Sequence, residues 1–304
     1  MISSDDLQKT SCAICSTDTF DQEVYAANFR PEDLNPEVFS ARRLPDHLYY
    51  RMVICRQCGL MRANPVLSSE SLSVLYKRSH GHDGQLSQAA ADTYLRYFQE
   101  NFSPFPFQKR VLEIGCGPGY FLKTLIQHEC QQVHGVEPSL EAVEQSGELK
   151  GLIHNGMFIS GIYPKEYFDI ICAFQMFDHL SDPVKFLKSC QEYVKPGGKL
   201  FIILHNINSW PARITGSHCP MLDIEHPILY NPRTIFKIIE ANGFTVEKKF
   251  SVLNRYPLRY WLQLMPLPLG LKKLLLDFLQ KSPIGNILLT LGLGNMGIIA
   301  RKKD

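Results

Sequence analysis

Residues 111–120 read VLEIGCGPGY: an apolar run, three glycines at alternate positions, and the start of a helical pattern. A bare backbone at the end of a strand lets a ligand approach closely, so this stretch belongs at a sheet edge that opens on a cavity. The same strand–helix rhythm continues from about residue 109. RVLEIG, VHGVE, FDIICAF and KLFIILHN read as buried strands. Between them, YFLKTLIQHE, SLEAVEQSG and PVKFLKSCQEYV read as helices, the last with Pro183 in its first turn. NPRTIFKIIEANG is a helix closed by Gly243, and FTVEKKFSVL and GNMGIIARK add two strands. Such alternation predicts an α/β fold, a Rossmann-like, mostly parallel sheet covered on both faces.

The spacing Gly115-x-Gly117-x-Gly119 departs from the GxGxxG of a pyrophosphate site, and no Gly-Lys-Ser/Thr follows to make a P-loop. Two carboxylates narrow the ligand further. Glu113 stands two residues before the first glycine, a poor neighbour for phosphate and a good one for an amine or a sulfonium. Glu137 closes VHGVE, twenty residues past Gly117, where a carboxylate takes both hydroxyls of a ribose. A ligand with a ribose, positive charge and no phosphate is S-adenosylmethionine.

These residues resemble the class I S-adenosylmethionine-dependent methyltransferases over roughly 109–250 and the last strand. VLEIGCGPG is similar to that family's first motif and VHGVEPS to its second. FDIICAFQMFDHLSDPVKFLKSCQEYVKPGGKLFI resembles the stretch from its fourth to its fifth strand. The resemblance implies seven strands, the last antiparallel. It also implies that Gly115, Gly117 and Gly119 line the methionyl part, Glu113 orients the amine and Glu137 holds the ribose. Asn155, Gly156 and Met157 would lie near the adenine, with Phe174 and Gln175 flanking the cofactor.

CAIC at 12–15 and CRQC at 55–58 form two knuckles in a chain with nine cysteines. Without a secretory pattern at the N-terminus the expected compartment is the cytoplasm, and metal binding is favoured over disulfides. Cys12, Cys15, Cys55 and Cys58 are expected to hold one structural Zn2+ as a ribbon over residues 1–65. Residues 66–108 read as a helical lead-in or lid, with SSESLSVLYKRS and QAAADTYLRYFQEN as its helices. The methyltransferase domain takes 109–304, with an insertion at about 254–290. That insertion carries Tyr256, Tyr260, Trp261 and the amphipathic LKKLLLDFLQ, suited to covering the sheet, to a dimer contact, or to peripheral contact with a lipid surface. No oligomeric state is written in these patterns.

Lys+Arg is 32 against 30 Asp+Glu, so no excess of positive charge calls for nucleic acid. The run CRQCGLMRANPVLSSESLSVLYKRSH resembles the lead-in of methyltransferases of sugar and polysaccharide biosynthesis, including C-methyltransferases of nucleotide-linked keto-sugars. That resemblance implies a sugar-like small-molecule acceptor. It also implies a substrate-side pair, Glu225 and His226, with His226 as general base. Tyr230 is a further candidate to hydrogen-bond substrate. His179 is expected in a structural or cofactor-adjacent role, and Tyr76, at helical spacing with Leu72 and Leu75, in the core. Two other readings stay open. One is an RNA methyltransferase gripping nucleic acid through Arg42, Arg43, Arg51, Arg56 and Arg62 of the ribbon. The other is a noncatalytic scaffold that binds the cofactor without turnover.

Overall fold

The computed structural model describes residues 4–39, 48–78, 84–105, 107–265 and 267–303. Its first part holds short strands β1 (Leu7–Gln8), β2 (Asp21–Tyr25), β3 (Met52–Cys55), β4 (Met61–Ala63) and β5 (Val66–Leu67). Two helices follow, α1 (Ser69–Lys77) and α2 (Gly84–Asn101). The Ser68 side chain caps α1 by accepting the Ser71 N–H, as the sequence predicts for a serine at that place.

The strand–helix alternation then appears in order: β6 (Arg110–Ile114), α3 (Tyr120–Gln127), β7 (Gln132–Glu137), α4 (Leu140–Gln145), β8 (Ile153–Asn155), β9 (Phe168–Phe174), α5 (Pro183–Tyr193) and β10 (Val194–His205). After β10 come α6 (Trp210–Thr215), β11 (Ile228–Leu229), α7 (Pro232–Ala241), β12 (Phe244–Pro257), α8 (Leu258–Leu264), α9 (Leu269–Gln280) and β13 (Leu288–Lys302). Seven strands form one sheet in the order β12-β13-β10-β9-β6-β7-β8. β13 runs antiparallel to both its neighbours, and the remaining pairs are parallel. The expected seven-stranded, mostly parallel sheet with its last strand antiparallel is thus present.

Both faces are covered, which is why the central strands are apolar throughout; in β9 every residue but Asp169 is buried. On one face Phe186, Leu187 and Cys190 of α5 pack with Ile235, Ile238 and Ile239 of α7. On the other, Tyr94 and Phe98 of α2 pack with Phe121, Leu122 and Leu125 of α3. α7 starts where Asn231 accepts the Arg233 and Thr234 N–H groups and Pro232 supplies the preset φ of a first turn.

β12 and β13 outrun the strands expected at 244–253 and 294–302, pairing as far as Pro257 opposite Leu288. Period-two burial explains the extension: Val252, Asn254 and Tyr256 point in while Leu253 and Arg255 point out. α8 and α9 fill the loop between the two long strands. α9 turns Leu271, Leu274 and Phe278 to solvent, and no helix among the described residues is long and apolar enough to cross a membrane. β11, drawn from between β10 and α7, pairs with β4 and completes a four-stranded sheet, β11-β4-β3-β2.

Candidate active site

A cavity of about 870 Å3 opens at the carboxyl ends of β6, β7, β9 and β10. The glycine turn forms one part of its lining. Gly115, Gly117 and Gly119 have φ of 72°, 54° and 83°, the left-handed region in which a side chain is strained. A Cβ on Gly115 would sit 3.3 Å from Met176 Cβ. The Gly115 and Cys116 N–H groups both donate to the Val136 carbonyl, at 2.8 and 3.3 Å, tying the turn to β7.

Glu137 lies at the end of that strand. Its Oε2 accepts the Gly117 N–H and its Oε1 the Ser139 N–H, each at 2.8 Å. Burial raises its carboxyl, and these two N–H groups draw it partly back. Glu113, only 5% exposed, is in a different position: its Oε2 has no hydrogen-bond partner. Burial, and then the negative charge of Glu137, push its carboxyl well above the usual range. A cation arriving beside it would favour the charged form and give the free oxygen a partner. Together with the bare backbone and a second carboxylate, this donor set fits the amine and ribose of S-adenosylmethionine.

Gly156, Met157, Phe174 and Gln175 also line the cavity. Gln175 holds φ at 53°, donates its N–H to Ile203 and leaves its buried Oε1 without a partner. Two expected cofactor residues stand elsewhere. Gly119 is not part of the lining; it precedes α3 with a left-handed φ, and a Cβ there would be 3.0 Å from Leu149 Cδ1, so its bare backbone permits close packing. Asn155 turns its amide back to the Glu137 carbonyl at 3.0 Å, bracing the chain behind the site rather than facing the cavity.

Another part of the cavity gathers three imidazoles. His226 lies edge-on to His179 and against His205, with ring centroids 4.7 Å apart in each case. His226 donates from Nδ1 to the Met221 carbonyl at 3.0 Å, and burial lowers its pKa. His179 Nδ1 shares a hydrogen bond with the Tyr76 hydroxyl at 3.3 Å and stands 3.9 Å from Glu225 Oε1. Glu225, His226, His179 and Tyr76 therefore all reach the cavity. Tyr230 does not: it is fully buried against Phe177, so the expected contact with substrate is absent.

Sequence reasoning missed a further pair. Asp178, entirely buried, accepts the His205 Nδ1–H at 2.5 Å. Burial alone would raise Asp178, yet the adjacent His205 imidazole holds it well below the ordinary carboxylate range. The signal was present in KLFIILHN: a histidine closing an apolar strand at the edge that also carries Glu137.

A family model described as a methyltransferase domain matches residues 82–249. The chain belongs to that family. The S-adenosylmethionine-dependent methyltransferase expected from the sequence follows from this membership. A ubiquinone biosynthesis O-methyltransferase of Aliivibrio fischeri is 27% identical over 178 residues, 54% of this chain and 75% of that protein. One of Yersinia pestis is 29% identical over 120 residues, 36% of this chain and 49% of that protein, so the chain spans about half its length. Among solved structures, the YcgJ protein of Bacillus subtilis superposes with a TM-score of 0.50 at 18% identity, over 70% of this chain and 99% of that one. A Bacillus halodurans protein described as a methyltransferase gives 0.51 at 15% identity, over 70% and 100%. Both share the fold.

The methyltransferase also carries the cysteine cluster. The sulfurs of Cys12, Cys15, Cys55 and Cys58 all lie within 4.8 Å of one another, and none is in a disulfide. Each knuckle ends in a left-handed residue, Ser16 at φ 57° and Gly59 at φ 85°. Each also closes with an N–H to the carbonyl of its first cysteine, Ser16 to Cys12 and Gly59 to Cys55. Burial pushes the Cys58 thiol up, whereas the Cys55 thiol, also buried, is brought below its usual value by the Cys58 and Gln57 N–H groups. Four converging thiols of this kind suit a tetrahedral zinc ion. Of the arginines expected to grip nucleic acid, Arg62 is buried with both terminal nitrogens on Asp21, and Arg51 pairs with Glu23 at 2.6 Å. Arg42 and Arg43 lie outside the described residues.

Proposed function

We propose that this methyltransferase passes the methyl group of S-adenosylmethionine to a hydroxyl oxygen of a small molecule with an apolar body. One observation carries the reading: the unpartnered carboxylate of Glu113 and the three imidazoles open on the same cavity. When bound, the cofactor supplies a methyl on a sulfonium leaving group. Glu113 would hold its amine, Glu137 its ribose hydroxyls, and the turn at Gly115–Gly117 its methionyl chain. The imidazoles lie where an acceptor hydroxyl can give up its proton, and alignment supplies much of the remaining rate.

Trp210, Ile214, Trp261, Leu264 and Met265 also line the cavity. A sugar, the acceptor expected from the ribbon and the Glu225–His226 pair, would face these side chains with hydroxyls lacking partners. The O-methyltransferases among the relatives favour oxygen as the acceptor atom. Zinc at the four cysteines has a structural part, since all four ligand positions are protein thiols. The exposed Leu271, Leu274 and Phe278 of α9, next to Lys272 and Lys273, support contact with an anionic lipid surface, from which an apolar acceptor would enter.

The test is incubation with methyl-labelled cofactor and a panel of alkylated catechols, nucleotide-sugars and RNA. Label in the catechols is the expected result. Label confined to RNA or to nucleotide-sugars overturns the acceptor class. A protein whose calorimetry shows no heat with the cofactor or its demethylated product overturns the enzymatic reading. Binding without label in any pool would leave a scaffold.

A further inference from the structure

Three imidazoles meet in the acceptor part of the cavity, and their hydrogen bonds give them different chemistry. His179 has Nδ1 engaged with Tyr76 and near Glu225. His226 is only 8% exposed and donates Nδ1–H to a carbonyl, Met221. A carbonyl fixes the tautomer and does little to stabilise an imidazolium. His205 is the last residue of β10, and its side chain is 22% exposed in the cavity wall. The same Asp178 oxygen accepts both its Nδ1–H at 2.5 Å and its backbone N–H at 3.3 Å. Ring and main chain are therefore held by one buried carboxylate. The Nδ1 proton faces this carboxylate, and Nε2 is the ring nitrogen turned away from it. A buried carboxylate behind Nδ1 is what makes a second proton on an imidazole favourable.

We propose that His205, gripped by Asp178, is the base that accepts the proton of the hydroxyl being methylated. The assignment rests on the methyl-transfer reading above. The acceptor O–H bond breaks and its proton passes to His205 Nε2. The oxygen's electron pair forms the new O–CH3 bond as the S–CH3 bond breaks, its pair leaving with sulfur. The imidazolium then returns its proton to solvent. The groups around this ring are Asp178 and His179 from the turn after β9, and Asp223, Glu225 and His226 from the loop before β11. Tyr76 of α1 and Tyr230 also approach this cluster. Asp178 is a positioning residue. His226, edge-on to His179 and tilted against His205, is a neighbour that orients the acceptor.

The test compares His205→Gln, His226→Gln and Asp178→Asn in the full chain, with the catechol that takes label best. His205→Gln is expected to lower kcat roughly 10²–10⁴-fold, the usual size of a lost general base. Its affinity for the cofactor by calorimetry should stay within about threefold, since His205 belongs to the acceptor side. The acid limb of the wild-type pH–rate profile, rising with unit slope, should vanish in His205→Gln. In Asp178→Asn it should move to lower pH, because the imidazolium loses its counter-charge. Near-normal turnover in His205→Gln beside a collapse in His226→Gln would return the base role to His226 and overturn the proposal. A rate dependent on added magnesium at constant zinc content would also overturn it.

If no acceptor is found, 15N-histidine NMR decides independently of turnover. The proposal requires His205 as the Nδ1–H tautomer at neutral pH, gaining a second proton on acidification. An Nε2–H tautomer, or a ring that stays doubly protonated to pH 9, overturns it. Absence of cofactor binding would instead sink the reading on which it rests.

Discussion

Glu113→Gln should move stability and affinity in opposite directions. In the folded protein without ligand the carboxyl is pushed well above its ordinary value of 4.5, by burial first and then by the charge of Glu137. Between that ordinary value and the folded one, the native state binds more protons than the unfolded chain. Stability therefore falls as pH rises, by about 1.4 kcal/mol per unit for this one group. The amide does not titrate. Wild type and variant should unfold alike near pH 5 and diverge above it. Toward pH 7 the variant gains stability, at most on the order of 3 kcal/mol, which is roughly 3–5 °C in Tm for a chain of this size. The groups that do not interact with Glu113 are common to both proteins and cancel in the difference.

With the cofactor present the order inverts. An ammonium loses a charged hydrogen-bond partner worth about 1.5–3 kcal/mol, so Kd should rise roughly 10–150-fold. Binding also ionises the carboxyl. Calorimetry in buffers of different ionisation heat should show wild type releasing a fraction of a proton at neutral pH, and the variant releasing none. Parallel melting curves from pH 5 to 8, with equal affinities, would refute the reasoning, because Glu113 would then be neither strained nor used.

Further perturbations test the rest of the site. Glu137→Ala, which frees the Gly117 and Ser139 N–H groups, should weaken the cofactor roughly 10–100-fold by the same calorimetry. Asn155→Ala should leave that affinity within about threefold, since its amide faces the Glu137 carbonyl. Elemental analysis should find one zinc per chain, and Cys15→Ser should lower both metal content and Tm, at a cost of several kcal/mol. Leu274→Asp with Phe278→Asp should cut cosedimentation with anionic phosphatidylglycerol vesicles roughly 10-fold or more, with neutral vesicles as the control.

Local patterns carried most of the fold. The helices at 183–193 and 232–241 announce themselves by apolar spacing and by a cap and Pro at the first turn, and that at 120–127 by its apolar spacing. The strand ends that bear Glu113 and Glu137 are readable because a carboxylate closing an apolar run is costly without a purpose. Long-range facts were not readable. That Asn155 turns back to a carbonyl depends on how β8 lies beside β7. That Gly119 packs against Leu149 depends on the segment after α4. The pairing of Asp178 with His205, 27 positions apart, exists only because β9 and β10 are neighbours in register. Tyr230 looked like a polar substrate contact, and its ring went into the core because Phe177 stands beside it.

The pairing of Ile228–Leu229 with Met61–Arg62 has a consequence for how this enzyme can be dismantled. The last strand of the cysteine-bearing sheet begins two residues after His226, with the Ala63 N–H donating to the carbonyl of the intervening Pro227. The four-cysteine sheet and the loop that bears His226 therefore share a hinge pin. If the cysteines hold zinc as proposed, stripping it should loosen the grip on the methyl acceptor while the nucleoside still docks at the glycine turn. Cutting away the first 65 residues would not trim an appendage; it would unhook a wall of the reaction chamber.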